Sequence, residues 1–577
     1  MIKKLMALLT AALMLAVMLP LTASAETYPT PEGYNDNDYQ KLVTFFETEN
    51  EDGVKNGVSA FGENYDPADP ETWKGGFEDI DYRIEWTTVD GQLRVYRIGI
   101  LYTGAYGVLD LSGCTALEVL ECRCNNLTEL DVSGCTALEV LECWSNELTE
   151  LDVSGCIALT SLDCGENNLT KFDVSGCIAL TSLFCYDNNL TELDVTKNAE
   201  LTQLNCFYND LTELDATHNT ALRWLNCEYN NLCELDVTQN TMLEELYCEN
   251  NNLTVLDVTH NTALIELYCE FNNLSELDVT QNTELLRLYC GENNLSELDV
   301  SGCVGLIELC CHNNNLTELD VMKNTELTEL NCEDNNLSEL DVTACLKELY
   351  CGGNNLTELD VTQNTELKWL YCGENNLSEL DVSGCVGLIE LCCHNNNLTE
   401  LDVTKNIKLW GLSCEGNDLT KLDVSECTEL QMLNCTGNRL SDIRTASETI
   451  GTNHFYASGN GYVEAKNYTR LKNYFPEGDD YEEYDELHIN AIPMEGNVFI
   501  GWYDSEGNLV SSEAELKLEY GAGRTLEARF DGGEATVAPD DSPKTDTTLV
   551  IVIAVIAVAI IAAVAAIVLI RRRQTAR

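Results

Sequence analysis

Basic side chains are scarce in this sequence. Lysine and arginine number 32 against 98 aspartates and glutamates over 577 residues, a net charge of −66. Nucleic acid is therefore a poor partner. A basic protein, a divalent cation or a neutral glycan suits such a surface, although the acidity would also serve solubility alone. Histidine is scarce too: His218, His260, His312, His394, His454 and His488 are the whole set. H-E-x-x-H, G-x-S-x-G, P-loop and dinucleotide fingerprints are all missing. Carboxylate pairs are abundant, but the internal repeat accounts for them, so no glycosidase dyad stands out. Cys310-Cys311-His312 and Cys392-Cys393-His394 come nearest to a nucleophile pair, yet one cysteine of each belongs to the core by register. The expectation is a non-catalytic chain with no catalytic residues and no cofactor. C-x-x-C spacing is also missing, so no metal site is expected.

What the chain has is periodicity. The stretch Leu138-Glu139-Val140-Leu141-Glu142-Cys143-Trp144-Ser145-Asn146-Glu147-Leu148 opens a unit of 21 residues. Its cysteine returns at 122, 143, 164 and on to 332, slips by two residues, and continues from 351 to 435. A fixed period near 20 marks a solenoid. Leu141 and Cys143 alternate with Val140, Glu142 and Trp144, so one set faces inward from a short strand and the other outward. Stacked copies build a core that one copy cannot. Sixteen strands at about 4.8 Å span roughly 75 Å. The asparagine after the cysteine sits where the strand turns, with an amide able to bond orphaned backbone groups. In the second half-unit, Leu151 and Val153 point in and Asp152 points out.

All 28 cysteines lie between Cys114 and Cys435. Those of the strands read as small buried apolar residues, and in-register spacing is too wide for disulfides. Cys135, Cys156, Cys177, Cys303, Cys345, Cys385 and Cys427 fall where other units carry Asn198, Asn219, Asn240 or Asn261, and read as turn residues interchangeable with asparagine. The outward aspartates, from Asp131 to Asp423, are expected to bond neighbouring turns rather than to hold calcium.

Three outward columns carry the candidate partner-binding residues. Before the strand cysteine stand Phe184, Tyr247, Tyr268, Tyr289, Tyr350 and Tyr371. After it stand Trp144, Tyr186 and Phe207. Two residues further up are Trp224 and Trp369, with Glu245, Glu266, Glu308, Glu329, Glu348 and Glu390. Aromatics on a solvent-facing sheet cost solubility unless they pair across strands or bind something. Either a binding face for a basic protein or a glycan, or a tyrosine ladder that only stiffens the sheet, fits this pattern.

The repeat resembles the bacterial leucine-rich repeats of the irregular 21-residue, internalin-like class, over residues 108–440. The resemblance implies a β-rich leucine-rich repeat solenoid with parallel strands on the concave face. Residues 288–321 and 370–403 are identical, so a four-repeat block was duplicated. Pro493-x-x-Gly496-x-x-Phe499-x-Gly501-Trp502, ending in Ala528-Arg529-Phe530, is similar to the divergent internalin B-repeat, a spacer unit of surface proteins. The expected small all-β module covers 453–531, with Trp502 in its core.

The ends complete the plan. Residues 1–25 have the charge, apolar run and A-x-A site of a secretory signal peptide. Residues 26–107 lack the repeat and are expected to cap the solenoid, with a helix over 38–46, a loop at Pro67, Pro70 and Trp73, and strands over 82–86 and 93–100. Residues 441–452 are expected as a link, and 532–548 as an extended linker. Residues 549–570 are uncharged and long enough for one transmembrane helix, and Arg571–Arg573 place the tail at 571–577 inside. Ser542-Pro543-Lys544-Thr545-Asp546 resembles a degraded sortase signal. The expectation is an exported protein in the cell membrane, single-pass, binding a protein or glycan on a host or neighbouring cell. An acidic surface spacer without a ligand is the alternative, and a secreted hydrolase ranks third.

Overall fold

The computed structural model describes residues 28–50, 52–75, 82–446, 452–458, 461–468, 486–495, 497–519 and 525–531. The signal segment 1–25, the linker 532–548, the apolar run 549–570 and the tail 571–577 lie outside them. Among the described residues no helix is long and apolar enough to cross a membrane.

A β-solenoid forms, as the alternation of the repeat requires. Sixteen three-residue strands, from Val119–Glu121 to Met432–Asn434, stack into one parallel sheet. Register is strict: Leu246 pairs with Leu267, and Leu267 with Leu288. The middle residue of each strand is buried and its two neighbours are half-buried, apart from small departures such as Gly411 and Asn434. The strand cysteines from Cys122 to Cys435 are fully buried. None of the 28 cysteines is paired with another. Cys206, Cys227 and Cys248 donate Sγ–H to the carbonyls of Asn226, Tyr247 and Tyr268 at 3.5, 3.6 and 3.4 Å. Burial pushes the Cys206 thiol up to about 12.

The strand-end asparagine closes each turn with all of its polar atoms. Asn230 donates Nδ2 to Cys206 O at 2.9 Å and Cys227 O at 3.1 Å, while its Oδ1 accepts from Leu211 N at 3.0 Å. A buried amide so engaged satisfies groups that would otherwise be orphaned. The second asparagine column does less. Asn240 donates to Ala216 O and Asn219 O at 2.9 and 2.8 Å, but its buried Oδ1 accepts nothing. Only the donor is used there, and a thiol can supply one. Cys135 Sγ donates to Leu111 O at 3.3 Å and Cys303 Sγ to Val279 O at 3.3 Å, which explains the interchange of the two residue types.

Cys345 departs from that column and is exposed. In the 19-residue unit the missing pair of residues falls before Thr343. Thr343 takes the buried turn position, its carbonyl accepting from Asn364 Nδ2 at 2.6 Å. Val342 is left only partly buried where its counterparts are sealed. The aspartates also differ from expectation: all of the column but Asp341, in the shortened unit, bind the amide two residues on in their own turn, and Asp423 alone also pairs with Arg444 of the next turn, at 3.8 Å. Asp194 Oδ1 accepts from Thr196 N at 2.9 Å and Thr196 Oγ1 at 2.7 Å, and these bonds hold its carboxyl below the usual range. The side chain is too short to reach the next turn once it folds back on its own amide.

The N-terminal region caps the stack. A helix over Asp36–Phe46, capped by the Asn35 side chain, packs Tyr39, Leu42, Val43 and Phe46 into the common core. Trp73, just after the short turn at Pro70–Thr72, stacks on Tyr39 with centroids 5.6 Å apart. A hairpin follows, Tyr82–Val89 with Gln92–Gly99, and its second strand pairs in parallel with Val119–Glu121. Asp38, fully buried, accepts from Arg94 Nε at 2.8 Å and Val95 N at 3.1 Å, pinning helix to hairpin.

At the other end the expected link is a strand. Asp442–Ala446 pairs in parallel with Lys421–Val424, the second half of the preceding unit, and the two begin a separate sheet. The described strands between 452 and 531 agree with the expected β character, but they join the end of the solenoid, some extending its parallel sheet and the rest the sheet begun by Lys421–Val424 and Asp442–Ala446. Gly461–Tyr468 lies antiparallel on Met432–Asn434, followed by Glu486–Pro493 and Glu515–Glu519. Thr452–Ser458, Thr525–Asp531 and Val498–Asp504 extend the other. Trp502 is buried and donates Nε1 to Ala514 O at 3.1 Å.

Candidate functional site

The outward columns lie together on one face of the parallel sheet, because first and third strand residues and the residue after the cysteine share one side of the pleat. In the third strand position Tyr247, Tyr268 and Tyr289 are half-buried and stack at 4.8 and 4.6 Å, with rings within 14° of parallel. Tyr350 and Tyr371 stack at 4.9 Å. Each such contact adds about 0.5–1.5 kcal/mol beyond its area. Their hydroxyls point to the glutamate column. Tyr247 donates to Glu266 at 2.9 Å and Glu245 at 3.1 Å, Tyr289 to Glu308 at 2.7 Å, and Tyr350 to Glu348 at 3.0 Å. Burial first, and the carboxylates next, raise these phenols; Tyr268 is pushed up to about 12.

Like charges in the glutamate column are interrupted by Arg287, which pairs with Glu308 Oε1 at 3.2 Å and with Glu266. Further on, Glu308, Glu329 and Glu348 are consecutive in register, and burial together with the charges of Glu348 and Glu308 raises the Glu329 carboxyl. Trp224 bridges Phe184 and Tyr247, 6.1 Å from each. Trp369 lies under the Lys368 ammonium at 5.7 Å, and Trp144 near Arg123 at 5.9 Å.

Sequence reasoning overlooked a fourth column. Two residues after the strand cysteine the backbone is left-handed in every turn, with φ of 47–55° for the non-glycine residues. Such a conformation costs roughly 1–2 kcal/mol for an ordinary side chain. Tyr208, Tyr229 and Phe271 nonetheless stand there, 56%, 50% and 48% exposed. Tyr186 stacks on Phe207 at 5.4 Å, Phe207 meets Tyr208 at 6.5 Å, and Tyr208 meets Tyr229 at 6.0 Å. Gly165 makes room for the Tyr186 ring, whose atoms would lie 2.5 Å from a Cβ there. The result is a continuous aromatic strip across the turns around 186–229, beside the Phe184–Trp224–Tyr247 group. The signal in the sequence was the pair Phe207-Tyr208 and the Cys-Glu-Tyr and Cys-Glu-Phe steps at 227 and 269.

The Cys-Cys-His steps divide as register demanded: Cys311 and Cys393 are fully buried, while Cys310 and Cys392 face outward. Burial first, then the Glu270 charge, raises the Cys310 thiol, which suits a protonated thiol rather than a nucleophile.

Comparison with solved structures bears on this arrangement. The functional domain of InlJ from Listeria monocytogenes, which includes a cysteine ladder, is 32% identical over 76% of this chain and 90% of that chain, with a TM-score of 0.51. The chain belongs to the internalin-type leucine-rich repeat proteins. The leucine-rich repeat protein LIC12759 of Leptospira interrogans is 24% identical, covering 54% of this chain and 90% of that one, at a TM-score of 0.47. YopM from Yersinia enterocolitica is 22% identical, covering 60% and 84%, at 0.46. No family model matches the chain, and no curated protein matches it by sequence. In this internalin-type chain the column from Cys122 to Cys435 is an unbroken run of buried thiols.

Proposed function

We propose that this chain is an exported, membrane-anchored, non-catalytic internalin-type protein that grips a protein partner with the strand face of its solenoid. The division into signal, cap, solenoid, β module, linker, membrane helix and tail follows the sequence boundaries given above. One observation carries the binding reading. Exposed aromatics at Tyr208 and Tyr229 occupy strained backbone and join Tyr186 and Phe207 in one strip. Exposed aromatic area in a costly conformation contributes little to folding beyond its ring contacts, whereas aromatic clusters dominate binding energy at interfaces. The carboxylates along the same face favour a basic partner. The Tyr247–Tyr289 ladder, tied to its own glutamates, serves mainly as the rigid floor of that face.

Binding of the purified chain to arrays of surface proteins and glycans tests this. Replacing Tyr186, Phe207, Tyr208 and Tyr229 together by alanine should weaken capture at least tenfold, about 1.4 kcal/mol, with circular dichroism unchanged. Capture that survives the change discards the assigned face, and capture by glycans alone replaces the protein partner. The duplicated block at 288–321 and 370–403 favours the second reading, a spacer whose copy number sets length. A silent screen would select it.

A further inference from the structure

Glu270, Cys310 and His312 come from two adjoining columns of the repeat and converge on the sheet face. Cys310 is the third residue of the strand Glu308–Cys310, and His312 follows the core Cys311, so both side chains leave the same side of the pleat. Cys310 Sγ lies 3.1 Å from His312 Nδ1. Glu270 stands in the column of His312 but two turns earlier, and its Oε1 is 3.8 Å from that same Nδ1. All three ligand atoms lie within 4.8 Å of one another.

The residue between Glu270 and His312 in that column is Gly291. A Cβ there would sit 2.4 Å from His312 Nδ1 and 3.1 Å from Glu270 Oε1. The missing side chain is what lets the two groups meet. Glu270 Oε1 is shielded from solvent and accepts no hydrogen bond. A shielded carboxylate oxygen without a donor is costly unless a cation or proton satisfies it.

We propose that Glu270, Cys310 and His312 form a site for a zinc-class divalent cation. A thiolate, an imidazole and a carboxylate suit zinc better than calcium or magnesium, which favour all-oxygen shells. Three protein ligands leave the fourth tetrahedral position open. Tetrahedral geometry with bonds of about 2.3 Å to sulfur and 2.0 Å to nitrogen needs these atoms roughly 3.5 Å apart, so Sγ and Nδ1 must separate by a few tenths of an ångström. Binding displaces the Cys310 proton to solvent, and the metal's charge offsets the burial that otherwise keeps the thiol protonated. The His312 side chain is 21% exposed and that of Glu270 17%, so the open position faces the solvent side of the sheet.

The duplicated block supplies an internal control. Cys392 and His394 repeat Cys310 and His312, and Gly373 repeats Gly291. At the position of Glu270, however, stands Gly352. The nearest carboxylate to His394 is that of Glu374, 3.8 Å from Nε2 and well exposed. The second set therefore lacks one ligand. The site stands apart from the partner-binding reading, since either can hold without the other.

Titration of the reduced full-length chain with Co²⁺, followed by its sulfur-to-cobalt charge-transfer absorbance and by displacement with Zn²⁺, tests the proposal. One equivalent should bind with that absorbance. Cys310→Ser should abolish the band, and Glu270→Gln should weaken affinity about tenfold or more. Glu270→Gly copies the second set, whose surroundings already accommodate glycine, so loss of binding in that variant is not a folding failure. Gly352→Glu should add a second equivalent. A wild-type chain without the band, a band that persists in Cys310→Ser, or unchanged affinity in Glu270→Gln and Glu270→Gly would overturn the site.

Discussion

Asparagine plays two different parts in this fold, and hydrogen bonding separates them. At the strand end Asn230 uses both donor and acceptor, and every repeat keeps asparagine there. In the second column Asn240 uses its donor only, and seven repeats, counting Cys114, carry a buried cysteine instead. Asn240→Cys should therefore cost under about 1 kcal/mol, and Asn230→Cys about 1–3 kcal/mol through the orphaned Leu211 amide. Urea melts of the two variants compare them directly. Glu249 offers a pH readout. Burial, then the Glu228 charge, holds its carboxyl up at about 8 against an ordinary 4.5. Between those values the folded chain keeps a proton that the unfolded chain has released. Stability from this group is thus full below about 4.5 and declines as pH rises toward 8. The thermal midpoint of the wild type should fall more than that of Glu249→Gln between pH 5 and 8. Parallel slopes would reject the assignment.

At the scale of the element, much of the repeat was legible. Alternation gave the inward leucines and cysteines, and the sixteen strands pair in the register that the period dictates. Features that depend on distances between columns were hidden. Asp194 was expected to reach the next turn, but a nearby amide in its own turn outcompetes it. Cys345 fitted the column by alignment, yet the two-residue deletion slides Thr343 into the buried place. Tyr208 and Tyr229 escaped notice because left-handed backbone leaves no mark in hydropathy. Glu270 and His312 are 42 residues apart, and only the absence of a side chain at Gly291 brings them together. Inserting Thr-Gln before Thr343 and changing Thr343→Asn should restore the period and seal Val342. A gain of about 1 kcal/mol follows from burying the rest of that side chain, to be read from denaturant melts. Thiol chemistry reports the same element. Cys233 and Cys345 are exposed, while the strand column is sealed. An aromatic disulfide reagent should titrate about two thiols rapidly in the native chain, by the accessibility rule for cysteine, and all 28 after denaturation.

At the scale of the molecule, a stack of turns joined only to their neighbours has two ends, and each is closed by different means. The first is roofed by the aromatic cluster of Tyr39, Phe46 and Trp73 and by the Arg94–Asp38 pair. The last is closed by Gly461–Tyr468, laid in the opposite direction over Met432–Asn434. A bare parallel strand would present its unpaired backbone groups to another chain, and the reversed strand, with Glu486–Pro493 and Glu515–Glu519 laid beyond it, covers them. Cutting the chain after Leu440 should therefore uncover a self-complementary edge. Sedimentation of that truncation should reveal concentration-dependent pairs joined tail to tail, because the N-terminal cap still closes the other end, while the longer chain stays dispersed. The reversed strand is thus a full stop, placed where a repeat could otherwise go on adding turns.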